Sequence, residues 1–263
     1  MQYGVAKILN VSHGEFLLYG GLMTWSLVQL GVHPVIALFL CCPVLFAAGY
    51  VVHRTVYERG KKVSKTFEAF QSNAMLIAFG SMFILQNVAT RAWGSTPLSY
   101  SFMATPVNIG GTNFPANRLF AFGIAIVLAA LFYLFLLKTR LGKSIRAAAQ
   151  DPVSAGIMGI NIKTIMAVCF GIGAMLAGMA GSLLSMYTAL FTTTLGFEMT
   201  LVAIIVVVLG GLGSIPGSVI GGFILGLVNA FVITYLEPAL VTAAFYAIIM
   251  IMLLVRPKGL LGR

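Results

Sequence analysis

The stretch Pro34-Val35-Ile36-Ala37-Leu38-Phe39-Leu40-Cys41-Cys42-Pro43-Val44-Leu45-Phe46-Ala47-Ala48-Gly49-Tyr50-Val51-Val52 contains no charged residue. At a rise of about 1.5 Å per residue, such a run is long enough to cross a hydrocarbon layer roughly 30 Å thick as a helix. Ala69 to Thr90, Leu119 to Leu137 and Thr164 to Leu190 have the same character, and the last is long enough to tilt. Phe16 to Leu30 is shorter and is separated from Pro34 by Gly31-Val32-His33, which predicts a tight hairpin or a re-entrant segment. Met199 to Leu236 is too long for one ordinary span. Gly210-Gly211-Leu212-Gly213-Ser214-Ile215-Pro216-Gly217 interrupts it, so two elements are expected, the first unusually short. Ala239 to Val255 ends the series.

Composition agrees. Of 263 residues, 60% are hydrophobic and 8% charged, against about half and about a quarter in a soluble domain. The chain therefore reads as an all-α integral membrane protein, a polytopic bundle of about seven or eight membrane segments forming one domain over residues 1–263. Its lipid bilayer is its solvent. The net charge of +10 sits in short clusters between apolar runs without aromatic interleaving, which fits positive-inside topology and argues against a nucleic-acid partner. Cys41, Cys42 and Cys169 lie inside apolar runs and read as packing residues, with neither a disulfide framework nor a metal-ligand spacing. No cofactor motif is present, and the N-terminus lacks the basic leader and cleavage site of a signal peptide.

The cations set the orientation. Arg54, Arg59, Lys61, Lys62 and Lys65 lie between His53 and Glu68; Lys138, Arg140, Lys143, Arg146 and Lys163 lie in residues 138–163; Arg256, Lys258 and Arg263 form the tail. These segments are expected on the cytoplasmic side, and the polar stretch Arg91 to Arg118 on the other. Parity holds whether the two halves of Met199 to Leu236 both span or both re-enter.

The loop Arg140-Leu141-Gly142-Lys143-Ser144-Ile145-Arg146-Ala147-Ala148-Ala149-Gln150-Asp151-Pro152-Val153-Ser154-Ala155-Gly156-Ile157-Met158-Gly159-Ile160-Asn161 resembles the cytoplasmic signature of branched-chain amino acid ABC transporter permeases. Asn10-Val11-Ser12-His13-Gly14-Glu15-Phe16, Leu209-Gly210-Gly211-Leu212-Gly213-Ser214 and Arg256-Pro257-Lys258-Gly259-Leu260 agree with it in the same order. The His-Gly-Glu-Phe motif points to one of the family's two permease subunits. The resemblance implies the larger-bundle class of ABC importer permease and alternating access driven by ATP. It also implies an assembly with a second permease, as a heterodimer, two cytoplasmic ATPase subunits and an external solute-binding protein. Related members carry urea or short amides, so the cargo is either a branched-chain amino acid or one of these. Family members usually have another apolar helix upstream of Asn10, and this chain is expected to lack it.

Within residues 138–163 the resemblance assigns ATPase coupling to Arg146, Ala147, Gln150, Asp151, Ala155, Met158 and Gly159. A short interfacial helix broken near Pro152 would present Ala155 and Met158 to a partner groove, with Arg146 and Asp151 at its rim. The bland alternative is a basic loop resting on anionic headgroups. Gly142-Lys143-Ser144 is not a phosphate-binding loop, because the position five residues before Gly142 is Leu137. The glycines around Gly211 fail the dinucleotide fingerprint, so ATP hydrolysis belongs to another chain and this chain is not an enzyme.

Asn10, His13, Glu15, Glu198, Gly210 and Gly211 are the candidates for a translocation path. Glu15 and Glu198 each open an apolar segment, where a carboxylate is favoured by the helix dipole or serves substrate. Parity places those two segments on opposite sides, a hint of inverted repeats with broken helices. His13 lacks the partners of a metal site or triad and reads as a structural hydrogen bond. Ala174-x-x-x-Gly178 and Ala177-x-x-x-Gly181 favour close helix packing within the chain. A secondary carrier is disfavoured because its usual signature, an ionisable residue deep in a span, is almost missing.

Overall fold

The computed structural model describes residues 10–63, 67–103, 105–188, 191–256 and 259–262. The chain divides into two compact units, residues 4–198 and 199–263.

In the larger unit α1 (His13–Gln29) and α2 (Pro34–Val52) form the expected hairpin. Gly31 takes φ 83° at its turn. His33 caps α2 by accepting the Val35 amide, and Pro34 occupies the first turn, where its missing N–H costs nothing. The helix continues through one π-helical stretch, His53–Tyr57, into α3 (Glu58–Val63). Next comes α4 (Phe67–Trp93) and the hairpin β1 (Pro106–Ile109) and β2 (Thr112–Pro115). Gly110 and Gly111 both have positive φ, as a two-residue primed turn requires. This ribbon lies within the polar stretch Arg91 to Arg118, whose composition alone does not reveal it. Then follow α5 (Ala116–Lys138), α6 (Arg140–Gln150), α7 (Pro152–Ile157) and α8 (Ile162–Tyr187).

Helix α8 is the hub of this unit, and α1 and α2 both pack on it through residues without bulk. A Cβ at Gly20 would fall on the Gly178 backbone, one at Gly181 on the Leu17 carbonyl, and one at Gly49 would lie 2.6 Å from Ala174 Cβ. In lipid no hydrophobic drive remains between helices, so close van der Waals approach supplies the association. The buried hydroxyls are paired: Thr24 Oγ1 donates to Ser182 Oγ at 2.8 Å, and Ser182 Oγ lies 3.0 Å from the Gly178 carbonyl that receives its proton. By contrast α5 exposes Phe122, Ile126, Leu131 and Leu134, a surface suited to acyl chains.

The smaller unit takes most of α9 (Leu195–Gly210), then α10 (Ile215–Tyr235) and α11 (Leu240–Val255). Residues 211–214 make the expected break. Ser214 caps α10 by accepting the Gly217 amide at 3.1 Å, and Gly211 and Gly213 have φ of 100° and 90°. Among the described residues five helical stretches are long and apolar enough to cross a membrane: Pro34–Gly60, Phe70–Trp93, Ala116–Lys138, Ile162–Tyr187 and Ile215–Tyr235. Leu195–Gly210 and Leu240–Val255 are shorter apolar helices. The sequence expectation of an all-α polytopic membrane protein holds.

Candidate functional site

The cation-rich segment 138–163 folds as two short helices on a rigid footing. Thr139 ends α5 and caps α6, its hydroxyl oxygen accepting the Gly142 amide at 3.0 Å. A Cβ at Gly142 would meet the Phe135 carbonyl and the Leu136 backbone, so the glycine that looks like part of a nucleotide motif is the one residue this turn accepts. Gly142, Ile145 and Ala148 line the buried side of α6, and Lys143, Arg146 and Gln150 are exposed. Ala147 is half-buried. Asp151 caps α7: its Oδ1 accepts the Val153 amide at 2.9 Å and its Oδ2 accepts the Ser154 hydroxyl. The Ser154 hydroxyl first, and then the Val153 and Ser154 amides, hold this exposed carboxyl below the usual carboxylate range.

Helix α7 ends in a Schellman motif. The Ile160 amide donates to Ala155 O at 3.1 Å and the Gly159 amide to Gly156 O at 3.0 Å, with Gly159 at φ 86°. One expectation changes here. Ala155 is only 5% exposed, whereas Val153, Ile157 and Met158 are 72%, 82% and 83% exposed. Met158 is the C-cap, and its side chain is free while that of Ala155 is buried, so the two do not make one free face. The free apolar patch is Val153, Ile157 and Met158. Val153 was missed because a six-residue helix is too short to show a period, although the Asp151 cap followed by Pro152 sets its phase.

The path candidates separate into two groups. Asn10, His13 and Glu15 gather at the start of α1. Asn10 Oδ1 accepts the Ser12 hydroxyl at 2.7 Å and the Tyr57 hydroxyl at 3.2 Å, tying this start to the extension of α2. His13 Nδ1 and both carboxylate oxygens of Glu15 are buried without a hydrogen-bond partner. Glu15 lies in the first turn of α1, where the helix dipole favours a carboxylate, yet no hydrogen bond reaches either of its oxygens. Gly196 lies directly against it, a Cβ there falling 2.7 Å from both oxygens. The Gly14-Glu15-Phe16 and Gly196-Phe197-Glu198 segments, placed by parity on opposite sides, thus meet at Glu15. Glu198 itself is exposed.

Gly210 and Gly211, in the smaller unit, are explained by packing. A Cβ at Gly210 would strike the Gly217 backbone, and Gly259 of the tail lies on Gly211. The Leu260 amide donates to Leu209 O at 2.9 Å and the Leu261 amide to Gly210 O at 3.1 Å, so the tail satisfies the carbonyls that end α9. Pro257 and Lys258 lie outside the described residues, as does the region upstream of Asn10.

A cavity of about 370 Å³ opens between the segment before β1 and the end of α8, lined by Ser99, Tyr100, Ser101, Phe102, Asn117, Met186, Tyr187 and Thr188. Tyr100 and Ser185 hydroxyls are 3.1 Å apart, and Asn117 Oδ1 is buried without a partner. No group of His, Cys, Asp and Glu suited to a metal ion occurs among the described residues.

Long apolar helices packed through glycine and a capped basic platform are the features of a polytopic membrane protein. A family model described as branched-chain amino acid transport system, permease component, matches residues 1–255. The chain belongs to the branched-chain amino acid permease family of ABC transporters. It is 30% identical to the high-affinity branched-chain amino acid transport system permease protein LivH of Escherichia coli K12, over the whole of this chain and 88% of that protein. It is 28% identical to the corresponding protein BraD of Pseudomonas aeruginosa, over the whole chain and 89% of the relative. A probable branched-chain amino acid transport permease protein LivH from Methanocaldococcus jannaschii is 27% identical, over the whole chain and 85% of the relative. No solved structure matches. The protein is a permease subunit of an ABC importer in the inner membrane.

Proposed function

We propose that this chain carries branched-chain amino acids across the cytoplasmic membrane by ATP-driven alternating access, paired with a second permease, two ATPases and an external binding protein. Residues 1–263 act as one permease domain. The observation that carries the coupling half of this reading is the platform of α6 and α7: rigidly capped at Thr139 and Asp151, held to α5 at Gly142, and exposing Val153, Ile157 and Met158 on the cation-rich side. An apolar patch on a short rigid helix is what a groove on a soluble partner takes up, with Arg146, Gln150 and Asp151 available at its rim. ATPase closure then moves the whole platform, and through α8 the helices α1 and α2 packed upon it. The relatives' names as branched-chain amino acid permeases support branched-chain amino acids as cargo. The test is reconstitution with ATPases and binding protein, followed by ATP-dependent uptake of leucine, urea and acetamide. Leucine uptake that needs ATP is the expected result; uptake of urea or acetamide alone replaces the cargo, and leucine uptake without ATP or partners overturns the mechanism.

A further inference from the structure

Glu15 is a fully buried carboxylate in the larger unit. It is 0% exposed, and neither oxygen has a hydrogen-bond partner. Its depth follows from α8: the Phe16 ring packs on Phe170 at 6.0 Å, and the Phe16 carbonyl lies beside Gly178. Phe170 and Gly178 are roughly 12 and 24 Å along α8 from Ile162 at about 1.5 Å per residue, so Glu15 lies near the middle of a layer about 30 Å thick. Tyr19, one turn on, gives its hydroxyl proton to the Leu85 carbonyl at 3.0 Å and has none for the carboxylate.

A carboxylate kept at that depth without a partner is a standing penalty unless something in the working cycle completes it. We propose that Glu15 receives the protonated amino group of the transported solute, a proposal that rests on the amino-acid cargo inferred above. An ammonium group brings the two things this site lacks, N–H donors and a positive charge. Urea and neutral amides bring only donors. Gly196, a residue with no side chain to intrude, lies directly against the carboxylate, just after the non-helical residues 191–194. With the carboxylate fully buried at rest, a solute needs an opening only while the path is open. Gly196 therefore serves as the lid of the ammonium site, closed in this structure.

The experiment uses the complete reconstituted importer. Wild type is first scored for ATP-dependent leucine uptake; its failure to take up leucine would remove the cargo reading and this proposal with it. Glu15→Gln keeps the shape and removes the charge. We expect complex recovery and melting temperature at or above wild type, because an unpaired buried charge is gone, with leucine uptake and equilibrium leucine binding to the complex reduced at least tenfold. Glu15→Asp should restore part of both. Uptake and binding in Glu15→Gln within twofold of wild type overturn the proposal, and so does a melting temperature several degrees lower, which would give the carboxylate a structural partner instead.

Discussion

The double substitution Ile157→Ser, Met158→Ser should separate folding from coupling. Both side chains are more than 80% exposed, so truncating them leaves the chain's own stability within about 0.5 kcal/mol. If an ATPase groove buries both, each contributes about 1.5–3 kcal/mol. Losing the pair then weakens association by about 3 kcal/mol or more, a factor of over a hundred at about 1.4 kcal/mol per tenfold. Retention of the ATPases on immobilised permease, measured across ATPase concentration, and ATP-dependent uptake should fall together while membrane insertion is unchanged. Ala155→Glu and Gly159→Glu are poorer tests. The first buries a charge inside the chain's own platform, and the second strains a backbone at φ 86°. ATPase affinity of the double variant within threefold of wild type, with normal uptake, would refute the coupling assignment.

Gly178→Leu should cost about 3 kcal/mol or more, since its side chain has to displace Leu45 and the Phe16 backbone, and the loss is read as lower yield and melting temperature of the detergent-solubilised protein. Asp151→Ala should remove the α7 cap while Asp151→Asn keeps most of it, measured by amide exchange at Val153 and Ser154. Because the folded carboxyl is held below its unfolded value, the cap is fully present at neutral pH and is lost as pH falls through and below the ordinary carboxylate range; protection of those amides unchanged in that acid range would contradict it. Lys143→Cys should be labelled by impermeant reagent only from the cytoplasmic side and Asn113→Cys only from outside, in sealed vesicles of known orientation.

The spans were legible because their signal is a length of uncharged residues, a one-dimensional property. The Gly211 break and the Gly31 turn were equally plain, since glycine there answers a local backbone need. What escaped depended on phase or on long-range contact. Val153 belongs to a helix too short to show periodicity. The β1–β2 ribbon sits in a polar segment where strand alternation covers only four residues on each side. The contacts of Gly210 with Gly217 and of Gly211 with Gly259, and the burial of Ala155, are likewise settled by packing. Glu15 was picked out by its position, but that its carboxylate faces Gly196 could not be read from residues 181 positions apart.

The tail that closes onto α9 has a consequence for how the protein is made. The carbonyls of Leu209 and Gly210 receive their donors from Leu260 and Leu261, which leave the ribosome only after α10 and α11 have been synthesised. Until then the end of α9 is an unfinished edge, open to water, lipid headgroups or the insertion machinery. The three-helix unit therefore matures late and all at once, and ribosome-stalled chains ending before Gly259 should be marked for proteolysis although every membrane helix is already present.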